Sequence, residues 1–391
     1  MKKGRWLGFL ALILLLFAFP LTAKAGDSSF ASAKKAALGK NVSGSLTETY
    51  PERWYSFTLP ASGRTVLHAS SYAERTNYRI YDLSGNLVWS KNNLRKSDNT
   101  GRSRIDETID LKGGTYYLCV DSKYLLVNRS YGKYVFRINF SAVKETFAET
   151  NRSENTGTAK ASAISFGKTV FGQIAANEDQ DAFRFRVPAD GIVTLSARAE
   201  MRYLWYNLYD SNGTLLYTKH AVWDSRSGAS FFTAELALRA GTYVLAPVKD
   251  RSTGAYAFRL ACKKTPVTFT ETAGHENGSL ETAVRIAPGQ TIRGLIALNN
   301  DKDYYRFTVS GSVKARVQAA AYTKYISYTI LNSRGETVWS STPRSRSASG
   351  KSRIDEPVRL SKGTYYFLAR KVGDTSSPVL IQLTMLGAFT P

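Results

Sequence analysis

Residues 179–188, Asp179-Gln-Asp-Ala-Phe183-Arg-Phe-Arg-Val-Pro188, decide the fold. From Phe183 onward apolar and polar side chains alternate, which is typical of a β-strand with one buried and one wet face. The same alternation occurs in Tyr55-Ser-Phe-Thr-Leu-Pro60 and in Tyr305-Arg-Phe-Thr-Val-Ser310. Three copies of one alternating strand indicate an internal repeat of strand-rich modules.

Two further signatures recur in the same order. Each copy has a strand that runs from a tyrosine to an Asp or Asn and then a glycine, which suits a tight hairpin turn. Each copy then has a Gly-Thr-Tyr strand. The turn glycines Gly85, Gly213 and Gly335 lie 128 and then 122 residues apart. The first residues of the alternating strands have the same spacing, and they are Tyr55, Phe183 and Tyr305. Short strands separated by turns predict an all-β chain of antiparallel β-sandwich modules.

Polar stretches mark the boundaries between the copies. They predict a first module at 26–147, a second at 148–269 and a third at 270–391. Residues 1–25 have a basic start, an apolar run from Phe9 to Phe19 and the small-x-small site Ala23-Lys-Ala25. That pattern predicts a cleaved signal peptide. The apolar run is short for a membrane span of about 20 residues, so we expect no transmembrane anchor and a secreted, extracellular or surface-associated protein.

The charge of the chain points to its partners. Lys and Arg number 53 against 31 Asp and Glu, a net charge of +22, of which the predicted signal peptide supplies four positive residues. A secreted protein this basic is attracted to polyanions such as wall polymers, anionic lipids or sulfated sugars. Simple solubility is the alternative explanation.

The repeated pattern resembles the bacterial pre-peptidase C-terminal domain family. The second module carries the resemblance best, with Asp179-Gln-Asp181-Ala-Phe183 followed by Leu-Tyr-Asp-x-x-Gly and Leu-x-x-Gly-Thr-Tyr. The third module keeps Asp301 and Asp303, whereas the first has Glu52 and Arg53 in that stretch. The resemblance implies three tandem jelly-roll-like β-sandwiches. It also implies assistance in binding or secretion beside secreted peptidases.

The acidic start of the later modules offers oxygen ligands for calcium, which prefers several of them. Some related collagen-binding modules use calcium at this place. The candidate ligands are Glu149, Asn151, Asp179 and Asp181 in the second module, and Glu271, Asn277, Asp301 and Asp303 in the third. The alternative is that these residues cap turns. We expect no other cofactor.

No catalytic arrangement stands out in the sequence. Nucleophile–histidine sites need particular partners close together, and neither Gly-x-Ser-x-Gly nor His-Glu-x-x-His occurs. The acid pairs Asp106-Glu107 and Asp355-Glu356 recur, but Thr233-Ala234 replaces them in the second module. Because the pair is missing from one copy, the prediction is that the chain is not an enzyme. A glycosidase is the alternative, since spacing alone does not rule out paired acids.

Aromatic residues and basic loops form the candidate ligand site. An aromatic residue stands four positions after each turn glycine, and the residue before it is always Val or Leu. We predict that the Val/Leu face is core and that the aromatic face is a partly exposed platform for sugar or peptide; packing between sheets is the alternative. Basic side chains follow in the first and third modules and would add charge for an anionic polymer. The predicted ligand-binding residues are Trp89, Arg102, Arg104, Tyr217, Trp339, Arg344, Arg346 and Arg353.

These observations favour a secreted, non-catalytic binding or adhesion protein that recognises an extracellular anionic polymer or polysaccharide. Three similar modules would add avidity if they engage together. A structural protein, or an accessory to a separate secreted hydrolase, is the second hypothesis. We expect a monomer without specific nucleic-acid binding.

Overall fold

The computed structural model describes residues 28–73, 75–94, 102–122, 131–148, 157–178, 180–269, 277–298, 302–321, 326–343, 352–372 and 377–388. The chain divides into two compact units. The first comprises residues 1–57, 69–105 and 116–136, and the second comprises residues 58–68, 106–115 and 137–391. The predicted signal peptide lies outside the described residues.

Strands dominate the described residues, beside short 3-10 helices at Phe30–Ser32 and Thr158–Lys160. The strands of the first module are β1 (Lys34–Lys35), β2 (Asn41–Leu46), β3 (Glu52–Leu59), β4 (Gly63–Ser71), β5 (Arg75–Tyr81), β6 (Leu87–Leu94), β7 (Ser103–Leu111), β8 (Gly114–Asp121) and β9 (Gly132–Ala142). Those of the second are β10 (Ser162–Ala163), β11 (Thr169–Ile174), β12 (Phe183–Val187), β13 (Gly191–Ala199), β14 (Leu204–Asp210), β15 (Leu215–His220), β16 (Val222–Asp224), β17 (Ala229–Leu238), β18 (Gly241–Lys249) and β19 (Gly254–Lys264). Those of the third are β20 (Val284–Arg285), β21 (Thr291–Ile296), β22 (Lys302–Val309), β23 (Val313–Ala321), β24 (Ile326–Asn332), β25 (Thr337–Ser341), β26 (Ser352–Leu360), β27 (Gly363–Lys371) and β28 (Ser377–Ala388).

The strands form two sheets in each module, and the strand order repeats. One sheet has the order β1-β3-β8-β5-β6, β10-β12-β18-β14-β15 or β20-β22-β27-β24-β25. The other has the order β2-β9-β4-β7, β11-β19-β13-β17-β16 or β21-β28-β23-β26. Apart from the two-residue strands β1, β10 and β20, which pair in parallel with their neighbours, the pairings described in detail are antiparallel. The all-β antiparallel sandwich prediction is confirmed.

In the second and third modules the core lies between the two sheets. In the second module, Phe183, Tyr206 and Leu245 of one sheet pack in the same cluster as Leu195 and Phe258 of the other. The third module has an equivalent cluster of its own. The alternating residues of the sequence supply these inward side chains, because successive residues of a strand point to opposite faces.

The predicted hairpin turns are present in all three modules. The Asp82 carboxylate accepts the Ser84 amide at 2.8 Å, and the Gly85 amide donates to the Asp82 carbonyl at 3.0 Å. Gly85, Gly213 and Gly335 adopt φ values of 82°, 82° and 80°, a left-handed conformation that favours glycine. This explains why Asx and Gly recur at fixed offsets.

The linkers are tied to the module that follows them. The Thr146 amide donates to the Phe171 carbonyl at 2.9 Å, and Phe147 packs against the core of the second module. At the second linker Thr268 makes the same bond to Arg293 at 2.8 Å, and Phe269 packs against the third core. Phe147 and Phe269, assigned by sequence to the ends of the first and second modules, thus contribute to the next cores.

Within the described ranges, no helix combines the length and apolar character needed to cross a bilayer.

Candidate functional site

The predicted aromatic platform is oriented differently from the expectation. Trp339 and Tyr217 are half-buried and pack against the cores of their modules. Val338, expected in the core, is 42% exposed. The prediction of a core position is therefore wrong for Val338, whereas Leu216, at the same place in the second module, packs against the core as predicted.

A β-bulge is the physical reason. The register shifts between Ile330 and Leu331, so that Trp339 lies opposite Ile330, which is fully buried, while Thr337 lies opposite Leu331. The extra residue of a bulge breaks the alternation of faces. The same shift places Tyr217 opposite Leu208 and Trp89 opposite Ile80. Ligand binding by these three aromatics stays a prediction, now for half-buried rings.

The predicted arginines lie in different settings. The Arg102 guanidinium sits 4.6 Å from the centre of the exposed Tyr72 ring, and its Nε donates to the Tyr72 hydroxyl. Arg104 is exposed on β7 and Arg353 is exposed on β26. Arg344 and Arg346 lie outside the described residues.

A strongly basic surface lies on the outward side of β21, β23 and β26 in the third module. We call it the basic face, and its cationic residues are Arg293, Lys314, Arg316, Arg353 and Arg359. Asp355 is on the same side of β26 and pairs with Arg316. The Arg316 hydrogen bond lowers the pKa of the Asp355 carboxyl, and the same contact raises the pKa of the guanidinium. Cations outnumber acids on this face even after that pair is formed.

The strand register places two of these cations side by side. Lys314 on β23 lies directly opposite Arg359 on β26. Like charges at directly opposite positions of an antiparallel pair repel each other and lower stability. The corresponding pair in the second module is Ile192 opposite Ala237, which carries no such penalty. Sequence reasoning missed Arg293, Lys314, Arg316 and Arg359, because only the register brings them onto one face with Arg353.

The acid pairs Asp106-Glu107 and Asp355-Glu356 have different surroundings in the two modules. Asp106 pairs with His68 Nδ1, and His68 Nε2 lies 3.0 Å from the Asn139 amide nitrogen. Asp355 pairs with an arginine instead. The two aspartates therefore share a position without sharing a partner type.

Three of the predicted calcium ligands are described. Asp181 accepts a hydrogen bond from the Tyr256 hydroxyl and lies 3.9 Å from Lys112 Nζ. Asp303 accepts the Tyr305 hydroxyl at 3.2 Å and lies 3.5 Å from an Arg239 nitrogen. The Asn277 side-chain nitrogen donates to the Tyr304 carbonyl at 3.3 Å.

The other predicted ligands, Glu149, Asn151, Asp179, Glu271 and Asp301, lie outside the described residues. Across the described part of the chain, no group of three or more His, Cys, Asp or Glu is placed to hold a metal ion. Calcium binding stays a prediction.

No family model and no curated protein matches the sequence. Solved structures of several β-sandwich modules are similar to it. The pre-peptidase C-terminal domain of a collagenase from Bacillus anthracis is 15% identical, with a TM-score of 0.23, over 26% of this chain and 94% of that one. The tandem CBM22-1-CBM22-2 domain of Paenibacillus barcinonensis Xyn10C is 13% identical, with a TM-score of 0.20, over 60% of this chain and 96% of that one.

The CUB1-EGF-CUB2 region of human MASP-1/3 is 8% identical, with a TM-score of 0.18, over 56% of this chain and 99% of that one. Identities and TM-scores this low assign neither a family nor a ligand. The candidate site therefore depends on the geometry of this chain alone.

Proposed function

We propose that the mature chain is a secreted, non-catalytic protein of three pre-peptidase-C-terminal-like modules that binds an anionic extracellular polymer through the basic face. The observation that carries the proposal is the register of Lys314 opposite Arg359, on the same outward side of β26 as Arg353. Two cations at directly opposite positions of neighbouring strands offer an anion two attractive contacts at once. Repeating sulfate, phosphate or carboxylate groups would supply that neutralisation.

The surroundings of the basic face support a polymer over a single small anion. The cations are spread along β21, β23 and β26 and are exposed or half-exposed. Such a surface raises the local concentration of polyanions and is screened by salt. Arginine also makes bidentate contacts with sulfate-, phosphate- and carboxylate-like groups.

Binding of the mature chain to heparin, polyphosphate and polyglutamate tests the proposal at low and raised salt. The triple variant Lys314→Ser, Arg353→Ser, Arg359→Ser is expected to bind about tenfold or more weakly, since three exposed contacts contribute about 0.5–1 kcal/mol each. The matched control is Arg184→Ser, Arg186→Ser, Arg306→Ser, which removes the same charge from exposed positions on β12 and β22. The control should keep most of the affinity.

Equal losses in both variants would mean that net charge alone drives binding, and the proposed face would be wrong. Salt-insensitive association with a secreted hydrolase would favour the accessory role. Release of sugars from a polysaccharide panel would overturn the non-catalytic assignment.

We propose that no cofactor is needed for polymer binding, so the affinity measured with calcium should equal the affinity measured with a chelator. A calcium-dependent affinity would support the predicted ligands Asp181 and Asp303.

A further inference from the structure

A buried lysine joins the end of the first module to the second. Lys112, in the turn before the Gly-Thr-Tyr strand β8, is only 1% exposed. Its Nζ donates to the Gln173 carbonyl at 2.7 Å and lies 3.2 Å from a Glu178 carboxylate oxygen. Asp181, two residues before β12, is 3.9 Å away. We call these contacts the first joint, and all of its residues belong to the second compact unit.

An arginine occupies the corresponding position one module later. Arg239 precedes Gly241 by two residues, as Lys112 precedes Gly114. Its guanidinium bonds Asp190 at 2.9 Å and reaches Asp303 of the third module at 3.5 Å. Asp303 corresponds to Asp181 in the repeat, so the same pairing recurs. We call this the second joint.

Backbone contacts repeat with the side chains. The Ala176 amide donates to the Asp110 carbonyl at 2.8 Å, and the Leu298 amide donates to the Ala237 carbonyl at 3.0 Å. The residues that accept these bonds are each two positions before the joint cation. Two joints with the same backbone bond and the same cation–carboxylate pairing are one interface used twice.

The acceptor carboxylates are held in place by tyrosines. The Tyr256 hydroxyl donates to Asp181, and the Tyr305 hydroxyl donates to Asp303 at 3.2 Å. Both carboxylates are essentially inaccessible to water, at 1% and 0% exposure. Burying a charge without a partner is costly, and the cation from the preceding module offsets part of that cost.

The first module lacks the acidic residue of a joint at the corresponding position, and the third lacks the cationic one. Arg53 stands in the first module where Asp181 and Asp303 stand in the others. It lies 4.4 Å from the Tyr50 ring centre and donates to the Ser45 carbonyl at 3.4 Å. At the other end Ser361 takes the place of Lys112 and Arg239, and it is exposed.

The turn at Ser361 nevertheless keeps the local frame of a joint. The Tyr365 hydroxyl donates to the Ser361 carbonyl at 3.1 Å, just as the Tyr243 hydroxyl donates to the Arg239 carbonyl at 3.0 Å. The turn is therefore preserved while its cation is absent.

We propose that these residues form a directional docking interface between modules, in which the cationic turn of one module fits the carboxylate-bearing start of the next. Arg53 cannot act as the acceptor and Ser361 cannot act as the cationic donor, so the first and third modules do not join those of a second copy through this interface. This inference goes beyond polymer binding and does not depend on it.

Limited trypsin digestion of the mature protein tests each joint separately. Lys144 lies in the linker at the first joint, and Lys263 and Lys264 precede the linker at the second. Lys112→Met is expected to speed cleavage after Lys144 at least tenfold, and Arg239→Met to speed cleavage after Lys263 and Lys264 by as much. Each variant should leave the other linker at the wild-type rate. Ser361→Met is the matched control and should change neither site.

A second set of variants covers the case in which a methionine variant fails to fold. Lys112→Arg and Arg239→Lys keep the charge and should keep most of the protection. Adding Asp303→Asn to Arg239→Met should recover part of the lost protection, because a neutral asparagine side chain can be buried without the cation. Wild-type cleavage in both methionine variants, or strictly additive effects of Arg239→Met and Asp303→Asn, would overturn the interface.

Sedimentation of the wild-type chain tests the ends. A single-chain mass at all concentrations is expected. Head-to-tail association that grows with concentration would show that the ends do join, and would overturn that half of the inference.

Discussion

The turn at Ala237–Gly241 and the turn at Arg359–Gly363 occupy the same place in two modules and meet opposite surroundings. In the second module Arg239 is buried against Asp190 and Asp303. In the third, Ser361 and Lys362 are exposed, and Arg359 replaces the buried Ala237. Since the tyrosine bond to the turn is retained in both, side-chain identity separates a turn that docks from a turn that faces solvent.

Exchanging the residues of these turns is the strongest test of that contrast. Arg239→Ser is expected to lower the free energy of unfolding by about 3–5 kcal/mol, the usual cost of removing one partner of a buried ion pair. Ser361→Arg should change it by less than about 0.5 kcal/mol, as is typical of exposed positions. Urea unfolding of both variants measures the difference. Similar effects at the two sites would show that the turns are energetically equivalent.

A glycine beside the first joint gives the next largest effect. A Cβ at Gly172 would stand 2.3 Å from the Tyr256 hydroxyl oxygen, and that hydroxyl holds Asp181. Gly172→Ala is expected to destabilise the protein by about 1–3 kcal/mol through overpacking. Gly278→Ala, where the added carbon has open space, is the control in the same unfolding assay. A neutral Gly172→Ala would show that Tyr256 is not closely fitted.

The stability contributed by the first joint should depend on pH, whereas that of the exposed turn at Arg359–Gly363 should not. Burial raises the pKa of Asp110 above 3.8, although hydrogen bonds from Thr253 and Gln173 and the charge of Arg64 oppose the shift. A raised folded-state pKa means that the contribution of this group to stability is full below its ordinary pKa and is lost as pH rises through the folded-state value.

Asp110→Asn removes this titration. Relative to the variant, the wild type should lose stability as pH rises from about 4, and unfolding free energies of both proteins across pH 3.5–7 measure the slope. Parallel curves would contradict the assignment. Arg359→Ala, at the corresponding position of the third module, is the control and should leave the slope unchanged.

The smallest effect is expected on the basic face, where stability and binding should move in opposite directions. Lys314→Ile with Arg359→Ala installs the residues of the second module. Relief of the like-charge pair should raise stability by about 0.5 kcal/mol, while affinity for heparin falls. Differential unfolding and a heparin titration of the same preparation measure both. A gain in stability without a loss of affinity would separate this pair from the binding face.

Much of the fold could be predicted from the sequence, because alternation and turn residues are local signals. Phe183, Phe185 and Val187 are buried as the period-2 pattern requires. The orientation of Trp339 and Tyr217 could not be predicted in this way. The bulge between the paired strands adds one residue, and no residue type in the sequence marks it.

The joints and the basic face depend on contacts between distant segments. Lys112 and Asp181 lie in different modules, so neither strand periodicity nor turn chemistry connects them. A signal was nevertheless present: a cation precedes Gly114 and Gly241 by two residues, and an aspartate is found at the start of only those modules that follow such a cation. Comparing the residues that differ at equivalent positions of the three modules would have predicted the joints.

The arrangement of donors and acceptors has a consequence for how such a gene could grow. The middle module alone carries both Asp181 and Arg239, so a tandem duplication of its coding segment would create a new junction of the kind already present. Duplication of the first module would set Arg53 against Lys112, and duplication of the third would set Ser361 against Asp303. Unequal crossing-over that duplicates the middle module would therefore keep a cation–carboxylate joint at the new junction, whereas duplication of the first or third module would not.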